Sequence, residues 1–150
     1  AYYQALAQPY VARNGKLDTV AELSLVTGWA DQVAKLAPFV TVFANQTGSL
    51  SGNTVNVNTA PGEVLMALDD QVDEQMARRI VDERERVPFK SVGDLSRVDA
   101  RLSVALAGKV VVKGTVFRIT ARGVVKDAAR TVQAVVRFDG APAILSWQEF

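Results

Sequence analysis

Four carboxylates fall within a short stretch, at Asp69, Asp70, Asp73 and Glu74. Oxygen ligands at that density are what a hard cation such as calcium takes, and paired carboxylates are also the usual equipment of acid–base chemistry. The same spacing answers more simply to the start of a helix, where carboxylates meet the positive end of the helix dipole. A second charged group follows at Arg78, Arg79, Arg84 and Arg86, interleaved with Asp82, Glu83 and Glu85. Alternating signs of this kind read as a solvated, ion-paired helix face rather than a nucleic-acid patch. With no histidine and no cysteine, the chain has no imidazole base or ligand, thiol nucleophile, thiolate metal site or disulfide framework. Nothing in the sequence gathers a nucleophile, a base and an oxyanion donor. The expectation is a protein that is not an enzyme, with no catalytic, cofactor-binding or metal-ligating residue assigned.

The totals agree with a binding role. At 150 residues, 49% apolar and 22% charged, the chain has the composition of one sizeable globular domain or two small ones. A net charge of +1 provides no global attraction to nucleic acid or anionic lipid. No apolar run approaches the roughly 18 residues that span a bilayer. The sequence opens at Ala1 in mid-pattern and reads as a fragment.

The acidic stretch sits inside the most informative segment, Thr54 to Leu95. Val55 and Val57 alternate with polar residues as in a half-buried strand, and Asn58 or Thr59 then stands where a helix cap is expected, with Pro61 in the first turn. Val64, Leu65 and Leu68 recur at helical spacing up to the acids. Val72, Met76 and Ile80 then stand four apart, with Ala77 and Val81 beside them, which predicts an amphipathic second helix that Pro88 ends. Ser91 with Asp94 three residues on resembles a capping box, an Asp standing where Glu or Gln is usual, and Leu95 opens a third apolar face.

Before this segment, Tyr3, Leu6, Ala7, Tyr10 and Val11 suggest a helix confined by Pro9, and Asn14-Gly15 turns the chain. Leu17 to Val26 (LDTVAELSLV) can be laid against Phe89 to Val98 (FKSVGDLSRV), so Thr19 and Glu22 repeat the capping device of Ser91 and Asp94. Chance likeness of two helix starts and a true duplication are both open. Trp29, Val33, Leu36 and Ala37 resume a helical period as far as Pro38. Phe39 to Ala44 (FVTVFA) reads as a strand, which the polar loop Asn45 to Asn53 would return onto Val55 and Val57 as a small hairpin over 39–58. From Lys109 the period changes to two: a short run at Val110 to Lys113, strands over Thr115–Val125 and Ala129–Phe138 joined at Lys126-Asp127-Ala128, and a last strand over Ile144–Phe150. Phe117, Ile119, Ala121, Val132, Ala134, Val136 and Phe138 share one apolar face that no later helix covers. Helices first and strands afterwards is an α+β pattern.

Two short helices framed by NxNTA, at Asn56 to Ala60, and PFxSxxDL, at Pro88 to Leu95, resemble the helix-hairpin-helix module of DNA-uptake proteins. They resemble more closely the same module in the general secretion pathway protein K family, the large minor pseudopilin of type II secretion. NGKLDTVAELSLVTGW and the closing strands ending in LSWQEF carry the likeness along the chain. The resemblance implies that residues 1–108 are the rear part of an inserted helical domain and residues 109–150 the closing strands of a pilin-like antiparallel sheet. It further implies a subunit at the tip of the secretion pseudopilus, assembled with the minor pseudopilins of the I and J types. Such a subunit is the periplasmic domain of a protein held in the inner membrane by an N-terminal helix absent from this chain. Members of the family bind calcium in the helical domain, but no ligand set can be matched to positions here. The alternative is a DNA-binding or DNA-uptake module. A DNA-binding hairpin presents glycine amides to phosphate, and the equivalent place here, Asp69 to Glu74, holds four carboxylates and no glycine.

Overall fold

The computed structural model describes residues 2–12, 14–43 and 54–150, which divide into two compact units, Ala1–Val42 and Phe43–Phe150. Each unit is described by itself.

The first unit is built from short turns of helix: 3-10 turns at Tyr2–Ala5, Val20–Leu25 and Ala30–Gln32, and one α-helical turn, α1 (Val33–Leu36). The capping box at Thr19 is present. The Glu22 carboxylate accepts from the Thr19 amide at 2.8 Å and the Asp18 amide at 3.0 Å. Two expectations are corrected here. The periodicity of residues 1–13 yields a single 3-10 turn, and residues 39–43 form turns and bends instead of a strand. None of these elements has a fully buried residue. A helix without a buried face lacks the packing that pays for its nucleation, so the turns do not propagate. Ala44 and the loop at 45–53 lie outside the described residues.

The second unit opens with β1 (Val55–Asn56), followed by α2 (Gly62–Met66), α3 (Glu74–Arg86), a 3-10 helix at Val92–Arg97, α4 (Leu102–Ala105) and β2 (Val110–Val111). β1 pairs in parallel with β2, Val55 opposite Val110, with the Val55 amide donating to the Lys109 carbonyl at 3.0 Å and the Val57 amide to the Val111 carbonyl at 2.9 Å. This replaces the hairpin expected over 39–58. Every helix of the unit is enclosed between the two paired segments, so the ladder closes the helical layer like a clasp. Inside it Val57, Leu65, Ile80, Leu95, Leu102 and Leu106 are sealed from water. Leu68 and Met76 flank this core half-buried. The repeated capping device at Ser91 is present too, and here its helix buries Leu95. Gly108, at φ 74, turns the chain out of α4 into β2, a left-handed conformation that glycine adopts without strain.

The remaining strands form an antiparallel sheet of order β3-β4-β5, with β3 at Val116–Val125, β4 at Ala128–Arg137 and β5 at Ala143–Glu149. The α+β class expected from the sequence is the one observed. Registers place Phe117 opposite Val136, Ile119 opposite Ala134 and Ala121 opposite Val132, and β5 adds Trp147 opposite Ala134 and Ile144 opposite Val136 to that face. The apolar face remains open to solvent, with Phe117 48%, Ile119 47% and Trp147 56% exposed. Ala134, Val135 and Val136 of the middle strand are buried.

Replacing Ile80 by Ala deletes most of a side chain that is 0% exposed in the helical core, and should lower unfolding free energy by about 2–5 kcal/mol. Urea unfolding monitored by circular dichroism measures it; an unchanged midpoint would mean that this face of α3 does not carry the core.

Candidate functional site

The polar group most thoroughly built into the second unit is the Asn58 side chain. It follows β1 in a turn in which the Asn56 side chain accepts from the Asn58 amide at 3.0 Å. Asn58 Nδ2 donates to the carbonyls of Phe89 at 2.9 Å and Val112 at 3.0 Å, and Asn58 Oδ1 accepts from the Phe89 amide at 2.9 Å. One carboxamide thereby ties the end of β1 to the chain after α3 and to the chain after β2. The cap expected at Asn58 or Thr59 is not formed: Pro61 occupies the N-cap position of α2, and no side chain bonds there. The Asn58 side chain is used across the fold instead of along the helix.

Arg84 on α3 holds the same turn from the other side, its guanidinium donating to the carbonyls of Val57 at 2.8 Å and Ala60 at 2.7 Å. Burial draws the Arg84 pKa below its usual value. Thus Arg84 leaves the solvated arginine face expected from sequence. Arg97 lies 5.0 Å from the Phe89 ring centre and donates to the Val87 carbonyl at 3.0 Å. Arg79 donates to the Val98 carbonyl. Arg78, paired with Glu74 one helical turn before it, follows the expected surface pattern, and Arg86 is exposed as expected. Arg79, Asp82, Glu83, Arg86, Arg97 and Val98 line an open groove of about 270 Å³ beside α3.

The four acids are dispersed among local tasks. Asp69 accepts from Lys109 Nζ at 2.6 Å and from the Gln71 amide at 3.0 Å, joining the turn after α2 to the start of β2. Asp73 caps α3, accepting from the Met76 amide at 2.7 Å, and Glu74 pairs with Arg78. Among the described residues no three acidic side chains come together in a group that could hold a metal. A phosphate approaching this turn would meet Asp70 and Asp73 rather than a row of free amides.

These contacts join NxNTA, PFxSxxDL and the Val110 strand into one frame, and that frame is what the comparisons pick out. Residues 1–45 and residues 55–113 each match the family described as Type II secretion system (T2SS), protein K. The chain belongs to the T2SS protein K family. No curated protein matches the chain. In this member of the protein K family, the second matched segment runs from the first residue of β1 to just beyond β2, so it coincides with the clasped helical layer. The family is a component of the type II secretion system, and in this chain the matched frame is held by the hydrogen bonds of Asn58. Sequence reasoning found the two framing motifs but missed that a single asparagine joins them.

Asn58→Ala would strand the Phe89 amide and withdraw the donor from two part-buried carbonyls, at an expected cost of about 1–3 kcal/mol in urea unfolding. A cost near zero would remove Asn58 from its central place. Acid should act through three other carboxyls. Asp99 is held down to about 2, mainly by the Arg101 guanidinium, Asp94 is lowered mainly by the Lys90 amide, and Asp69 mainly by Lys109. Their folded pKa values lie below the unfolded value, so the stabilisation is present above the ordinary carboxylate range and lost as pH falls through the folded values. The melting temperature should therefore decline between about pH 4 and about pH 2. A profile flat across that window, followed by thermal circular dichroism, would contradict these bonds.

Proposed function

We propose that this protein is a minor pseudopilin at the tip of the type II secretion pseudopilus, acting in protein secretion by assembly with the I-type and J-type minor pseudopilins. The observation that carries the reading is the antiparallel sheet following the protein K segments, whose Phe117, Ile119, Phe138, Ile144 and Trp147 stay open to solvent. In a pilin body such a face receives a long amphipathic helix, and an apolar surface of this size is rarely left in water. Covering the exposed half of each large side chain is worth about 1 kcal/mol, so several together favour a docked helix. On this reading residues 1–108 belong to the inserted helical domain and residues 109–150 are the closing strands of the pilin-like sheet. The domain lies in the periplasm, tied to the inner membrane through that helix. Calcium remains a proposed ligand of the helical part, without assigned residues.

Mixing the protein with purified I-type and J-type pseudopilins of the same system should give one heteromeric species by size-exclusion chromatography with light scattering. Three separately eluting proteins at micromolar concentration would count against the tip assembly.

A further inference from the structure

The two outer edges of the β3-β4-β5 sheet differ. β5 follows Pro142, and its pairing with β4 is interrupted by a register shift between Val135 and Val136. β3 pairs with β4 without interruption over ten residues and contains no proline. Proteins ordinarily blunt an exposed edge by making it short, bulged, proline-containing or charged. β3 is neither short, bulged nor proline-containing, and its charged residues are Arg118 and Arg122.

The ladder fixes which groups of β3 point outward. The Phe138 amide donates to the Thr115 carbonyl at 2.7 Å, so odd-numbered residues of β3 face β4 and exchange bonds with it. The amides and carbonyls of Arg118, Thr120, Arg122 and Val124 consequently face away from the sheet. Among the described residues no strand pairs with them. The same even-numbered positions carry their side chains on the face opposite Phe117 and Ile119. Across β4, Arg118 stands opposite Val135 and Arg122 opposite Thr131, so neither has a carboxylate partner there. Asp127, in the hairpin turn, is the only acid between Lys113 and Phe138.

We propose that the outer edge of β3 is a docking site for an acidic β-strand of a partner protein. Four residues of strand hold Arg118 and Arg122 about 13 Å apart, and carboxylates at positions i and i+4 of an antiparallel partner strand would stand opposite them. Intervening residues of that strand would extend the apolar face beside Phe117 and Ile119. The chemistry recognised is a strand with acids on one face and apolar residues on the other, held by main-chain bonds and selected by side chains. A second copy of this chain meets a penalty in the register centred on Thr120, which sets Arg118 of each copy against Arg122 of the other, since like charges directly opposite destabilise a pair.

The probe is a labelled seven-residue peptide of alternating valines, with glutamate, threonine and glutamate at its even positions. It is compared with a scramble that sets the glutamates side by side. On adding the first peptide, amide exchange at Arg118, Thr120, Arg122 and Val124 should slow. R118E/R122E should weaken binding about tenfold or more by fluorescence anisotropy, and a peptide with lysine for glutamate should restore it. Thr120→Pro removes one outward amide and no ladder bond, and should abolish binding while the circular dichroism spectrum is retained. Equal binding of the scramble, or indifference to R118E/R122E, would overturn the proposal. So would protection of these amides that grows with protein concentration in the absence of peptide, since that would assign the edge to self-pairing.

Discussion

The helical layer depends on the Asn58 carboxamide. A carboxamide is the smallest side chain that can donate twice and accept at once, and this one meets backbone groups of Phe89 and Val112, 31 and 54 residues away in sequence. Each bond contributes little alone, about 1 kcal/mol. Together with the β1–β2 ladder and the Arg84 bonds they set the separation of three chain segments whose remaining contacts are apolar packing, which is tolerant of small displacements. The parallel β1–β2 pair is two residues on each strand, too short to specify its own register. Asn58, one residue beyond the last Val57 bond, supplies the missing specification.

Two kinds of surface follow from this arrangement. Around α3, Arg78, Arg79, Arg84 and Arg97 are engaged by carbonyls or neighbouring acids. On the β3–β4 hairpin the opposite holds. Arg118 and Arg122 face no acid across β4, and Phe117 and Ile119 lack a covering layer. Within the second unit, unsatisfied surface is therefore concentrated in the sheet, while its helical layer buries most of its apolar side chains.

Much of this was legible in the residues. The amphipathic period of Val72, Met76, Ile80 and Ala77 gave α3, Pro88 its end, and the alternation after Thr115 the long hairpin with its correct faces. Asp73 was recognised within the acids, though not as the cap it proves to be. The short helices of the first unit were overestimated, because periodicity records which face could be buried and not whether anything buries it. FVTVFA was misread for the same reason: β-branched composition permits a strand, but a strand needs a partner.

Local chemistry, then, was settled by the sequence: capping boxes at Thr19 and Ser91, the helix boundaries around α3, the turn at Lys126-Asp127, and the exclusion of histidine- or cysteine-based chemistry. These rest on interactions between residues a few positions apart, which the order of the chain fixes directly. Pairing across long separations was decided only in three dimensions. That Val55 meets Val110 in parallel, that Asn58 abandons a cap for Phe89 and Val112, and that Arg84 turns inward to Val57 and Ala60 depend on enclosing four α2-to-α4 helical segments between two short strands. Those choices follow from burying one shared core, and no local pattern encodes which distant carbonyl a buried donor will find.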